Sequence, residues 1–189
     1  MARVYMIRHG NPASTWGDTA DSDPGLDEKG RAQAQVVAKT LLALPQPPRL
    51  VVSSPLARCR QTAAPFAKAR SAEARIETKV GEIPAPAGIA PDMRSSWLRA
   101  AFDGVWSGIE GDIDYAVWRN NVAAAVAASA DTAIFSHFVA INAAVSAATA
   151  DPRVLCFRPD HCSITVFETD GENLTLIERG GEAQTRVVV

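Results

Sequence analysis

The sequence predicts an α/β protein, a three-layer α/β/α sandwich whose mostly parallel central sheet ends in an antiparallel C-terminal strand or hairpin. Three observations carry that reading. Runs at 2–7 (ARVYMI), 49–53 (RLVVS) and 131–136 (DTAIFS) are short, β-branched and apolar on both faces, as strands covered by helices on both sides are. Stretches with helical spacing separate them. Two further runs, 162–168 and 174–179, flank Asp170 and Gly171, the composition of a hairpin turn.

The first strand leads into LDEKGRAQAQVVAKTLLAL, where Ala34, Val37, Leu41 and Leu44 recur three and four residues apart. Asp27 is placed to cap this helix, and Pro45, Pro47 and Pro48 stop it. A second helix is expected to open at SSPLARCRQTA, with Ser54 as cap, Pro55 in the first turn, and Leu56, Cys59 and Ala63 as its buried stripe. Pro65 is expected to kink or end it. A short strand is predicted at 74–79 (ARIETK), and helices at 113–129 and 138–149. Residues 83–112 gather Pro84, Pro86, Pro91, Gly88, Gly104, Gly108 and Gly111 around Trp97 and Trp106. A connection that long is more often functional than filler, so it is expected to be an irregular, cap-like segment of a single domain covering 1–189.

The formal charge of −2, from 19 basic and 21 acidic residues well mixed along the chain, offers no electrostatic footprint for nucleic acid or an anionic membrane. Neither is expected as a partner. Cys59, Cys156 and Cys162 cannot all pair and lack CxxC spacing, which argues against a disulfide framework or zinc knuckle and for a reducing, cytoplasmic setting. No long apolar leader and no run of ~18 apolar residues occurs, so a soluble protein is expected.

In an open α/β sheet, ligands bind beyond the carboxyl ends of the strands. The first strand ends at Arg8 and His9, the second at Ser54 with Arg58 one turn into the next helix, the third a few residues before Glu82, and the fourth at His137. If these strands are parallel neighbours, two Arg, two His and one Glu meet on one rim. Two guanidiniums offer forked donors to phosphate oxygens, and the helix opening at Ser54 adds backbone N–H groups and a positive dipole end. An imidazole among cations has its pKa lowered and presents a lone pair to phosphorus, provided its other nitrogen donates to a carbonyl such as one in the Gly10 turn. The second imidazole, charged, would hold equatorial oxygens in the transition state. Glu82, in competition with Glu73, Glu77 and Glu110, would protonate the leaving alkoxide and then deprotonate the hydrolytic water. Positioning and electrostatics suffice, so no metal or other cofactor is required.

RHGN at 8–11, SSPLARCRQTA at 53–63, GE at 81–82 and IFSH at 134–137 together resemble the histidine phosphatase superfamily, in its phosphoglycerate mutase-like branch, with matching order and spacing over most of the chain. The resemblance implies a phosphoglycerate mutase-like fold and a cofactor-independent phosphoric monoester hydrolase working through a phosphohistidine on His9. It implies that Arg8, Arg58 and His137 complete the phosphate pocket and that Glu82 is the proton donor. The implied partner is a phosphorylated small-molecule substrate, with a phosphoprotein as alternative. The LDEKGRAQAQ helix and the HCSITVFE strand also resemble family landmarks, both structural.

Three positions depart from the family pattern. Asn11 stands where Thr or Glu is common, and its amide can still donate to a phosphate oxygen; Phe138 stands where Gly is common; and GEIPAPAGIAPDMR does not continue the usual E-x-x-x-G-x-x-E-G pattern. The other readings weighed are a mutase acting through His9, a non-catalytic phosphate-binding or partner-binding module, and a metal site built from His9, His137 and His161. Arg60 is expected to face solvent, His161 to be structural, Trp97 and Trp106 to anchor loops, and Arg94 and Arg99 to be solvated or to bind a second anionic group.

Overall fold

The computed structural model describes residues 1–14 and 23–183. Six strands, β1 (Ala2–Arg8), β2 (Leu50–Ser53), β3 (Arg75–Ile76), β4 (Thr132–Ser136), β5 (Ile164–Thr169) and β6 (Leu174–Glu178), form one sheet in the order β3-β2-β4-β1-β5-β6. The first four pair in parallel, while β5 and β6 are antiparallel, β5 against β1 and β6 against β5. This is the mixed sheet with an antiparallel C-terminal hairpin that the sequence predicts.

Alternating side chains of each strand feed two cores. Val4 and Met6 of β1, Val52 of β2 and Ile134 of β4 pack with α4 (Tyr115–Ala127) and α5 (Phe138–Thr149) on one face. Tyr5, Ile7, Val51, Ala133 and Phe135 pack with α1 (Glu28–Leu42) and α2 (Ala57–Ala69) on the other. Both faces of the sheet are therefore dry, which is why the strands read as continuous apolar runs. Among the described residues no helix is long and apolar enough to cross a membrane.

α1 begins where the sequence places it, with Asp27 Oδ1 accepting from Gly30 N at 2.6 Å. Its first turn lies against the loop after β1 so closely that a Cβ on Gly10 would come within 2.7 Å of the Gly30 carbonyl oxygen, and one on Gly30 would overlap the Asn11 carbonyl. Glycine is required at both by space alone.

Three expectations change. Ser54 is not the cap residue of α2: Leu56 occupies that position without a side-chain bond, the Ala57 N–H is taken by Asp23 Oδ1 at 2.8 Å, and the Ser54 hydroxyl, which accepts from the Leu56 N–H at 3.3 Å, meets His137 Nε2 at 2.7 Å. Pro65 neither ends nor delimits α2, which runs on to Ala69; the fully buried ring of Phe66 beside it anchors that turn to the core despite the missing N–H. Residues 83–112 contain more regular structure than their Pro and Gly content suggests, namely single 3₁₀ turns at Pro91–Met93 and Trp106–Gly108 and the helix α3 (Arg94–Phe102). Its Leu98 and Ala101 are buried, with Trp97 and Phe102 packed beside them, a helical stripe bounded by the Pro and Gly signals.

Gly30→Ala is expected to destabilise the protein by about 1–3 kcal/mol or more, since backbone would have to move to admit the methyl group. Gly104→Ala, whose Cβ meets nothing nearer than 3.6 Å, should stay within ~0.5 kcal/mol of the unsubstituted protein. Urea unfolding of both variants checks this, and equal midpoints would show that α1 does not need its close seat on the loop.

Candidate active site

Parallel register brings the strand ends together. Arg8 on β1 lies opposite Ser136 on β4, and Ser53 on β2 opposite Phe135, so His9, Ser54 and His137 leave the sheet side by side. The His9 N–H donates to the Ser136 carbonyl at 3.0 Å and the Ser54 N–H to the Phe135 carbonyl at 2.9 Å, extending each ladder one residue past its strand. The His9 and His137 rings stand 5.3 Å apart between centroids, tilted by 60°.

Glu82 reaches this point through the 3₁₀ turn Thr78–Val80 that follows β3. The Ser136 hydroxyl donates to the Val80 carbonyl at 2.7 Å and ties that turn to the end of β4. Glu82 Oε2 then lies 3.3 Å from an Arg58 Nη and 3.3 Å from His137 Nδ1. Its other oxygen accepts from the Ile83 N–H at 3.2 Å. Of the rival carboxylates, Glu77 is paired with Arg75 at 3.1 Å.

His9 has the tautomer-setting contact that the sequence reading required. Its Nδ1 is 2.8 Å from the Gly10 carbonyl, which can only accept, so Nδ1 carries the proton and Nε2 keeps its lone pair. Burial, reinforced by His137, Arg58 and Arg8, holds its pKa well below the ordinary imidazole value. Burial likewise lowers His137, against the opposing pull of Glu82. Arg8 and Arg58 are each 7% exposed, and burial brings the Arg8 guanidinium down to about 10. Burial alone would raise the Glu82 carboxyl, but His137 and Arg58 outweigh it and hold the group at about 2.

The structure thus brings Arg8, His9, Arg58, Glu82 and His137 into one cluster. Asn11 borders it differently: its amide nitrogen donates to Asp27 Oδ2 at 2.7 Å, so one of its two hydrogens serves the α1 cap rather than an anion. Arg60 is exposed, and Trp97 and Trp106 anchor their loops through indole N–H bonds to the Glu110 carbonyl and Ser146 Oγ. Arg94 and Arg99 lie on α3 and make none of the contacts that join the five.

Four contributors lie outside the predicted set. Ser54 Oγ is 2.7 Å from His137 Nε2, and Cys59 Sγ is 3.3 Å from the same atom. Thr62 Oγ1 accepts from the Gly10 N–H at 3.0 Å and donates to the Arg58 carbonyl at 2.7 Å, linking the turn after β1 to α2. The His161 ring lies 5.7 Å from that of His9, because β5 runs antiparallel to β1 and the Cys162 N–H bonds the Arg8 carbonyl at 3.0 Å. Burial and Arg8 push its pKa down to about 4. Pairing the terminal strand with β1 on paper would have placed residue 161 beside residue 9. Among the described residues no group of three His, Cys, Asp or Glu is arranged to hold a metal ion. A groove of about 770 Å³ opens near Tyr5, Pro47, Arg49 and Arg70, and no residue of the cluster lines it.

Residues 4–106 match the family model of the histidine phosphatase superfamily (branch 1). A curated relative, the transcription factor tau 55 kDa subunit of Saccharomyces cerevisiae, is 34% identical over 45% of this chain and 23% of that protein, so the chain spans less than a quarter of the relative's length. Among solved structures, a mycobacterial glucosyl-3-phosphoglycerate phosphatase in complex with inorganic phosphate superposes with TM-score 0.71, 23% identity and coverage of 98% of this chain and 100% of that one. The phosphoserine phosphatase of Entamoeba histolytica, in complex with 3-phosphoglyceric acid, gives TM-score 0.73 and 19% identity over 97% and 98%. Both share the fold of this chain, the phosphoglycerate mutase-like α/β sandwich.

Because the Glu82 carboxyl is depressed, its contribution to stability is complete above the unfolded value of about 4.3 and is lost as pH falls toward about 2. In Glu82→Gln the loss of stability between pH 5 and 2 should be shallower than in the unsubstituted protein, by urea unfolding at each pH. The same variant should lower the His137 pKa further, since the carboxylate raises it. An NMR titration in which His137 moves upward would show that Glu82 does not face the ring.

Proposed function

Since the chain belongs to the histidine phosphatase superfamily, branch 1, we propose that it is a cofactor-independent phosphomonoester hydrolase that forms a phosphohistidine on His9. One observation supports this most directly: an imidazole with its proton fixed on Nδ1 by the Gly10 carbonyl offers a bare Nε2 beside two buried guanidiniums and a second imidazole.

The residues divide the work by chemistry. Arg8 and Arg58 bind the phosphoryl oxygens through N–H donors that burial has already stripped of water, so little reorganisation accompanies the transfer. His9 Nε2 attacks phosphorus in line as the P–O ester bond breaks. An incoming phosphate adds negative charge beside Glu82 and His137 and raises both pKa values, so the carboxyl gains a proton to give to the departing alkoxide, and His137 gains positive charge as oxygens become more negative. In the second half, Glu82 takes a proton from water, the oxygen attacks phosphorus, the P–N bond breaks, and His9 returns with inorganic phosphate released. The substrate is a phosphorylated small molecule whose non-phosphate part is met by residues 83–112, as a cap-like segment.

A second reading, a phosphate-binding module without turnover, is favoured by the depth to which Arg58 and His137 hold the Glu82 carboxyl in its ionised form. The named role of the yeast relative as a transcription factor subunit is compatible with it. Turnover separates the two readings.

His9→Ala should abolish hydrolysis of p-nitrophenyl phosphate and remove an acid-labile phosphoenzyme seen in rapid-quench labelling; equal rates in both proteins would end the phosphatase reading. Since only unprotonated His9 attacks, kcat/KM for p-nitrophenyl phosphate, whose leaving group needs no acid, should not lose the His9 nucleophile on acidification until a pKa well below 6.5. Glu82→Gln should cost about 10²–10⁴ in rate for an alkyl phosphate and much less for p-nitrophenyl phosphate, whose leaving group needs no proton. A uniform loss across leaving groups would remove Glu82 as the acid.

A further inference from the structure

Arg8 is 7% exposed, yet among the described residues it makes a single side-chain hydrogen bond, from Nη1 to the Pro159 carbonyl at 2.9 Å. Its Nε is buried with no hydrogen-bond partner among the described residues. A guanidinium so sparsely bonded would be free to swing, and an anion site needs it fixed. It also has an aromatic neighbour: the guanidinium carbon lies over the Phe138 ring, 5.1 Å from its centroid. Phe138 is the first residue of α5 and 5% exposed, so its backbone is set by the helix and its ring is not replaced by water. Behind it stands Phe102, the last residue of α3, at 5.5 Å between centroids and 47° of tilt.

We infer that Phe138 is a positioning residue for Arg8: the face of its ring holds the guanidinium in the phosphate pocket beyond what the Pro159 hydrogen bond does, and Phe102 braces that ring from the 83–112 segment. The attraction of a cation to an aromatic face strengthens when both are desolvated, as they are here. A contact with an aromatic ring uses none of the hydrogen-bond capacity of the remaining N–H groups, which stay available to an oxyanion. Any change in α3 on substrate binding would then reach the phosphate pocket through two rings. The contact itself is independent of what the protein does, whereas its role in anion binding rests on the phosphatase reading.

The test compares Phe138→Met, which keeps apolar volume without a π face, with Phe138→Tyr, which keeps the face. Inorganic phosphate is titrated into each by calorimetry, and the Arg8 Nε–H resonance is followed by NMR. Phe138→Met should weaken phosphate binding about 3- to 30-fold and remove the ring-current displacement of the Arg8 signal, while Phe138→Tyr stays within about 2-fold with the signal displaced. Phe102→Leu, which leaves Phe138 in place, should weaken binding in the same direction by less, and covers the case in which Phe138→Met does not fold. Phosphate binding that depends on Arg8 but is unchanged in Phe138→Met overturns the inference and leaves the phosphatase reading standing. Failure of Phe138→Tyr to retain affinity assigns the effect to packing and overturns it too; absence of phosphate binding by the unsubstituted protein removes both.

Discussion

Two buried guanidiniums in one small volume, with the Glu82 carboxylate against Arg58, are the constraint to which the rest of this molecule answers. Bringing Arg8 and Arg58 out of water is costly, and Glu82 offsets part of that cost for Arg58 and for His137 together. With both imidazoles biased toward neutrality, Arg8 and Arg58 set against Glu82 leave positive charge in excess, which under the proposed function favours an anion there. Burial is the main reason His9 stays unprotonated, and the cations that would hold the anion add to it.

That arrangement depends on backbone placed to a fraction of an ångström. The turn carrying His9 is gripped from three sides: Ser136 through the His9 N–H, Thr62 through the Gly10 N–H, and Gln33, whose Oε1 accepts from the Asn11 N–H at 2.8 Å. Glycines 10 and 30 let α1 press directly on that turn, and Gln61 Oε1 accepts the Leu26 N–H at 2.7 Å to close the other side. The polar residues of SSPLARCRQTA therefore serve two purposes, Arg58 joining the cluster beside Glu82 and His137 and Gln61 and Thr62 fixing the loop opposite.

Much of this was legible because it follows from strand ends. Apolar runs bounded by Arg8, Ser54 and His137 can only be parallel neighbours if their tips converge, and the 3.6-residue spacing after Asp27 and the Ala- and Val-rich run at 138–149 pointed to α1 and α5. Contacts set by tertiary competition were not legible. Ser54 is a sound cap by its own chemistry, and nothing local says that an imidazole 83 residues away takes its hydroxyl. Pro65 breaks a helix in isolation, and only the core contact of Phe66 shows why α2 continues. His161 was hidden by strand order, since it precedes a strand that pairs with the first strand of the chain, just beyond which His9 stands.

Cys59 has a consequence of a different kind. Its thiol is wedged against His137 with no exposure, and burial pushes its pKa far up, so as long as the seam between α2 and β4 stays shut the sulfur is chemically silent. Alkylating reagents would then read the frequency of transient opening at the heart of the molecule, turning one atom into a native clock for local breathing where no external label could be accommodated.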